Sequence, residues 1–287
     1  MTSPASTLPR VAVRPDASAI RFDARSAIAL ALASFAGAIA FAWPLLLPPS
    51  ANVGHGTDAP LVFLLLLPVL VVVVLAEIAG GGIDSKALAM LGVLSAIGAA
   101  LRPLGAGTAG IETTFFLLIL AGRVFGPGFG FVLGSTTLFA SALITGGVGP
   151  WLPFQMLAAS WVGLGAGLLP PVRGRAEILL LAAYAGFAAI AFGLLMNLWF
   201  WPFVVGDDSS ISYVAGAPLG ENLARLVLYS LATSMGWDVM RAVTNVVFIV
   251  LLGPAVLAVL RRTARRAAFG RASVIPASSP GETSAPG

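Results

Sequence analysis

The stretch GWDVMRAVTN, residues 236–245, sets an aspartate, an arginine and an asparagine inside an otherwise apolar sequence. Asp238, Arg241 and Asn245 are three and four residues apart, so on a helix they share one face, with Trp237 one turn from Arg241. A guanidinium there can fork two hydrogen bonds to a carboxylate or phosphate, strongly where water is scarce. The plainer role is structural: Asp238 caps the helix after Gly236 and Arg241 neutralises it. Five further groups belong to the same set by residue type. They are Arg102, Glu112, Gln155 with Trp151 one turn before it, and Asn197, which precedes Trp199 and Trp201. Charged and amide side chains are costly in a bilayer and face a bundle interior or a wet cavity. Their convergence in one leaflet describes a pocket with aromatic walls and a few polar contacts. For Trp199 and Trp201 the alternative is an interfacial aromatic belt.

The elements that carry these residues are apolar helices. Of 287 residues, 58% are hydrophobic and only 10% charged, against about 25% charged in a soluble domain. Runs near the roughly 20 residues that cross a bilayer recur along the chain, and the alternating ten-residue segments of a membrane barrel are absent. The expected fold is all-α: a polytopic helical membrane protein of about eight spans, near 26–47, 60–80, 86–101, 111–124, 127–146, 153–171, 176–201 and 237–260. Residues 1–25 and 263–287 read as polar, disordered tails. Residues 223–235 read as an interfacial or re-entrant helix, since a continuous helix over 221–260 would run about 60 Å.

Charge distribution sets the orientation. Arg10 to Arg25, Lys86, Arg123, Arg173, Arg175 and the Arg261–Arg271 group fall on one side of an eight-span arrangement, and among short loops only Arg102 falls on the other. The positive-inside rule then places both termini in the cytoplasm of a cell-membrane protein and faces GGVGPWLPFQ, residues 146–155, outward. The net charge of +4 follows from this clustering and implies no nucleic-acid partner.

The inventory excludes several chemistries. Cysteine is absent and the one histidine, His55, lies in a loop, which removes thiol chemistry and a cysteine- or histidine-based metal centre. Lys86 is the single lysine and follows Asp84-Ser85, so no phosphate-cradling lysine loop exists. GPGFG, residues 126–130, joins two spans rather than a strand and a helix, and reads as a tight turn instead of a dinucleotide fingerprint. Neither a cofactor nor catalysis is expected, an intramembrane enzyme being left with a thin set of groups. A self-contained channel or secondary transporter stays open, although no convincing internal repeat supports it.

Gly92, Ala96 and Ala100 repeat at every fourth position of the third span. Such a stripe lets another helix approach closely, within the same chain or in a separate membrane subunit.

The segments AGRVFGPGFGFVLG and SALITGGVGPWLPFQMLAASWVGLGAGLLP, followed by NLWFWPF and SMGWDVMRAVTN, resemble the substrate-binding S components of energy-coupling factor transporters. The resemblance covers roughly residues 86–262, and GxGPWxPxQ is its most specific part. It implies a six-helix core at 82–262 that captures a vitamin-like solute from outside, with the first two spans, within 26–81, as additions. It further implies a transmembrane coupling subunit docked on Gly92, Ala96 and Ala100, two cytoplasmic ATPase subunits, and a lid at 102–110. The substrate-binding residues are then Arg102, Glu112, Trp151, Gln155, Asn197, Trp237, Asp238, Arg241 and Asn245. No ligand-diagnostic motif for riboflavin, thiamine, biotin or cobalamin is present.

Overall fold

The computed structural model describes residues 24–46, 85–105, 110–203 and 209–268. Among them the regular structure is entirely helical: α1 (Ala24–Leu46), α2 (Ser85–Gly105), α3 (Phe115–Phe125), α4 (Pro127–Thr145), α5 (Leu152–Leu168), α6 (Arg175–Phe200), α7 (Leu219–Thr233) and α8 (Met235–Ala268), with one 3-10 turn at Trp201–Phe203. Five helices are long and apolar enough to cross a membrane, namely α1, α2, α4, α6 with its 3-10 extension, and α8. Two shorter apolar helices, α3 and α5, complete the bundle. This is compatible with a multi-pass helical membrane protein. The expected span at 60–80, most of both tails and residues 106–109 lie outside the described residues, while 102–105 of the expected loop belong to α2 and the tail expected from 263 is helical to Ala268.

The breaks between helices follow from glycine and proline. Gly126 ends α3 at φ +97 and Pro127 opens α4, where its missing N–H and fixed φ cost nothing. Gly146 caps α4 in the left-handed region at φ +66, and Pro153 sits in the first turn of α5; this is how 146–151 turns the chain without a long loop.

Close backbone approach holds the centre. A Cβ on Gly163 of α5 would collide with the Gly130 carbonyl of α4, and one on Gly122 of α3 with the Gly163 carbonyl. Gly134 stands in the same relation to Ala159. Three helix backbones therefore meet along one seam, as small residues permit in a membrane. Around it Phe115, Leu118, Phe125, Phe129, Phe131 and Phe154 are fully enclosed. The first N-terminal helix joins this core. Phe41 of α1 meets Phe154 and Trp161 of α5 at ring-centroid distances of 5.0 and 5.6 Å, and Trp161 Nε1 donates to Ser34 Oγ at 3.0 Å.

Helix α2 meets α4 through Ser95, Gly98 and Ala99. Ser95 Oγ lies 2.7 Å from Thr136 Oγ1, and a Cβ on Gly98 would press on Thr137. Gly92, Ala96 and Ala100 are on the other side, exposed with respect to the described residues. The intramolecular seam of α2 thus uses a different set of small residues from the four-residue stripe.

Helix boundaries differ in places from the sequence reading. The last span starts at Met235 and runs 34 residues, about 51 Å at 1.5 Å per residue. The span expected at 111–124 is helical only from Phe115, because residues 110–114 enter the bundle as irregular backbone. The helix expected at 223–235 begins four residues earlier and ends before Ser234. Its outward face carries Leu219, Leu223, Val227, Leu228 and Leu231, an apolar stripe left uncovered by the described residues.

Gly163→Ala should destabilise the protein by about 1–3 kcal/mol, the usual cost of overfilling a tight contact, whereas Gly92→Ala should leave it essentially unchanged. Thermal melting of the purified protein in detergent checks both; a harmless Gly163→Ala would contradict the seam.

Candidate functional site

The polar groups gather at one end of the bundle, where α2, α6 and the α4–α5 link finish and where α3, α5 and α8 begin. Arg102, one turn from the end of α2, donates from Nη2 to Gln155 Oε1 at 3.1 Å. Its charge also feels Glu112 and Arg241. Among the described residues the hydroxyls of Ser135, Thr137 and Ser141 on α4 and of Ser160 on α5 are enclosed and have no hydrogen-bond partner.

The irregular segment 110–114 is held in place by its own polar atoms. Glu112 Oε1 accepts from the Thr114 N–H at 3.0 Å, and Thr113 Oγ1 donates to the Leu101 carbonyl at 2.6 Å. Asn245 closes the arrangement from α8. Its Oδ1 accepts from the Phe116 N–H at 2.7 Å, while Nδ2 donates to the Glu112 carbonyl at 3.1 Å and the Arg241 carbonyl at 2.9 Å. The first N–H groups of a helix have no partner within it, and α3 takes one from another helix. Non-helical backbone inside a membrane survives only where protein or a wet cavity satisfies it.

Asp238 and Arg241 form an ion pair at 2.6 Å, with Asp238 only 3% and Arg241 17% exposed at the side chain. Asp238 Oδ2 also accepts from Ser234 Oγ at 3.2 Å, and Asn197 Nδ2 donates to Ser234 Oγ at 2.6 Å and Ser230 Oγ at 3.0 Å. Arg241 donates onward to the Ala189 carbonyl at 3.4 Å and stands over the Phe192 ring at 5.3 Å. Gly193 leaves room for the carboxylate, because a Cβ there would collide with it. Asn197 therefore fastens the α7–α8 elbow to α6, and Asp238 ties that elbow to Arg241.

Of the nine residues expected to bind a solute, the structure brings Arg102, Glu112, Gln155, Asp238, Arg241, Asn245 and Asn197 into two adjoining networks. Asn245 and Asn197 are occupied there by protein partners. The tryptophans separate. Trp151 is exposed and folds over Gly149, its Nε1 donating to the Gly147 carbonyl at 3.2 Å. Trp237 is 48% exposed on the outside of α8. Trp199 and Trp201 are enclosed instead of lining a belt. Trp199 packs on Phe154 and Phe203, and Trp201 donates from Nε1 to the Ile211 carbonyl at 2.6 Å.

Trp201 belongs to a cap between α6 and α7. Residues 209–218 are pinned by Asn222, which bonds both the N–H and the carbonyl of Val214, and by Arg225, which donates to the Ser209 carbonyl at 3.1 Å. Tyr213 donates its hydroxyl to the Pro44 carbonyl, and burial raises its pKa above the ordinary value. A cleft of about 590 Å³ opens in this cap, lined by Ser209, Ser210, Ser212, Tyr213 and Arg225. None of its lining residues belongs to the Arg102–Arg241 networks.

At the opposite end the structure holds a group that sequence reasoning missed. Glu177, 2% exposed in the first turn of α6, pairs with Arg123 at 2.8 Å and Arg261 at 2.6 Å. Arg123 also donates to the Leu169 and Val172 carbonyls at 2.9 and 3.2 Å. One carboxylate thereby joins the α3–α4 turn, the α5–α6 turn and the end of α8. The signal was present, since Glu177 is the one acidic residue between Glu112 and Asp207.

No protein-family model, curated protein sequence or solved structure matches this chain. Groups of histidine, cysteine, aspartate or glutamate able to hold a metal are absent among the described residues.

Glu177→Gln should cost about 3 kcal/mol, the low end for breaking a buried pair because Arg261 is 41% exposed. Asn245→Ala should cost about 1–3 kcal/mol by stranding the Phe116 N–H. Melting curves check both, and an unshifted midpoint for either would remove that contact from the account.

Proposed function

We propose that the chain is a membrane-embedded, solute-binding subunit of an energy-coupling-factor-type transporter, with no catalysis of its own. In this reading eight spans cross the cell membrane, the Arg102–Arg241 end faces outward and the arginine-rich Glu177 end faces the cytoplasm, together with both termini. The solute is vitamin-like and carries an anionic group.

One observation carries the reading. Arg102 and Arg241 stand on different helices at one end of the bundle, and each commits a single terminal nitrogen to the protein: Nη2 of Arg102 to Gln155, and Nη1 of Arg241 to Asp238 and Ala189. The rest of both guanidinium forks has no partner among the described residues. Two such forks suit a carboxylate or phosphate on a larger polar solute. The bundle offers no nucleotide loop, so energy for uptake comes from two cytoplasmic ATPases through a transmembrane coupling subunit. The exposed Gly92, Ala96 and Ala100 stripe supports docking of that subunit, because the described residues do not use it internally.

Calorimetric titration of the purified protein with candidate vitamins tests the pocket. Arg241→Lys keeps the charge but loses the planar fork, so it should weaken an anionic solute by roughly 1.5–3 kcal/mol. Wild-type affinity in an Arg241→Ala, Asp238→Asn double variant would leave the pair only its structural role. Docking is tested separately: Ala96→Trp should abolish uptake into cells while leaving solute binding to the isolated chain intact. Loss of binding as well would contradict a separate docking face.

A further inference from the structure

We propose that the Glu177 end of the bundle is a binding surface for anionic phospholipid headgroups. The two ends differ sharply in charge. Among the described residues whose side chains are placed, the Glu177 end carries eight basic side chains (Lys86, Arg123, Arg173, Arg175, Arg261, Arg262, Arg265 and Arg266) and one carboxylate. The opposite end balances Arg102, Arg225 and Arg241 against Glu112, Glu221 and Asp238.

A bias of basic residues toward one face of the membrane would scatter them around the rim. Here the Glu177 clamp gathers them laterally. Arg261 reaches Glu177 at 2.6 Å, which brings the end of α8 against the start of α6, two residues from Arg175. Arg123 holds the α5–α6 turn through Leu169 and Val172, next to Arg173. Gly174, at φ +67, makes the sharp turn between Arg173 and Arg175. Arg173, Arg175, Arg262, Arg265 and Arg266 are all exposed and have no ion-pair partner among the described residues. Among the described residues Glu177 is the one carboxylate at that end, and the clamp already engages it.

The height of this cluster matches a headgroup layer. Helix α8, at about 51 Å, exceeds a hydrocarbon thickness of about 30 Å. Its last two turns, with Arg262, Arg265 and Arg266, therefore stand at the level of the phosphates. Arginine forks pair with phosphate oxygens in two parallel hydrogen bonds, and clustered basic residues beside a span attract anionic lipid. A soluble polyanion would need the cluster to project clear of the membrane, and this one lies alongside it.

The test uses the full chain in neutral detergent and does not involve the transported solute. Short-chain phosphatidylglycerol and phosphatidylcholine are titrated in separate runs, and binding is read by native mass spectrometry and by the melting midpoint. Phosphatidylglycerol should bind at least about tenfold more tightly, and 0.5 M salt should erase most of the difference. The triple variant Arg262→Gln, Arg265→Gln, Arg266→Gln changes exposed residues that have no ion-pair partner among the described residues, so it should fold normally and lose that preference. Arg173→Gln with Arg175→Gln should lose part of it. Equal affinity for the two lipids, or an unchanged preference in the triple variant, would overturn the proposal. So would full displacement by millimolar inorganic phosphate, which would reassign the surface to a soluble anion.

Discussion

The contact between the backbones of Gly130 on α4 and Gly163 on α5 sets the geometry on which the other elements depend. No side chain fits between them, and Gly122 of α3 closes against the same carbonyl. In lipid, apolar side chains gain little by leaving their surroundings, so helices associate through close packing and polar contacts. This seam supplies the close packing. It fixes α3, α4 and α5 as one block, and α2, α6 and α8 assemble around it. A helix as short as α3, 11 residues, has a defined place only because this block surrounds it.

Polar interactions then close the block at its two ends in different ways. At the Glu177 end a single enclosed carboxylate takes two arginines and ties three chain segments together. At the Arg102 end the polar groups satisfy an irregular segment and a helix elbow, and they leave donors over. Asn245 completes the start of α3, and Asn197 with Ser234 holds the elbow between α7 and α8. Arg102 and Arg241 retain unused N–H groups. The proposed solute site rests on those unused donors, which stand among largely enclosed groups.

Most helices were legible in the sequence because they are apolar runs bounded by glycine, proline or arginine, and the breaks at Gly126–Pro127 and around Gly146 stand where those residues put them. The face shared by Asp238, Arg241 and Asn245 was legible for the same reason: helical spacing fixes it before any tertiary contact forms. What those side chains touch was not legible. Asn245 finds its partners 129 and 133 residues earlier in the chain, and spacing within one helix carries no trace of that. Trp201 illustrates the opposite error. By position it reads as a membrane-surface residue, yet residues 209–218 fold back over it and take its N–H, a long-range cover that composition does not encode. The Glu177 clamp was missed because its arginines looked like separate interfacial charges.

Whether the chain works as a solute-binding part of a larger machine or alone is the central question, and purification from native membranes under mild detergent addresses it most directly. A tagged chain should bring down one further polytopic membrane protein and two ATPases in fixed stoichiometry, and the chain reconstituted alone in vesicles should bind solute without accumulating it. Recovery of the chain alone, together with solute accumulation by vesicles that contain nothing else, would contradict this account and make the protein a self-contained transporter.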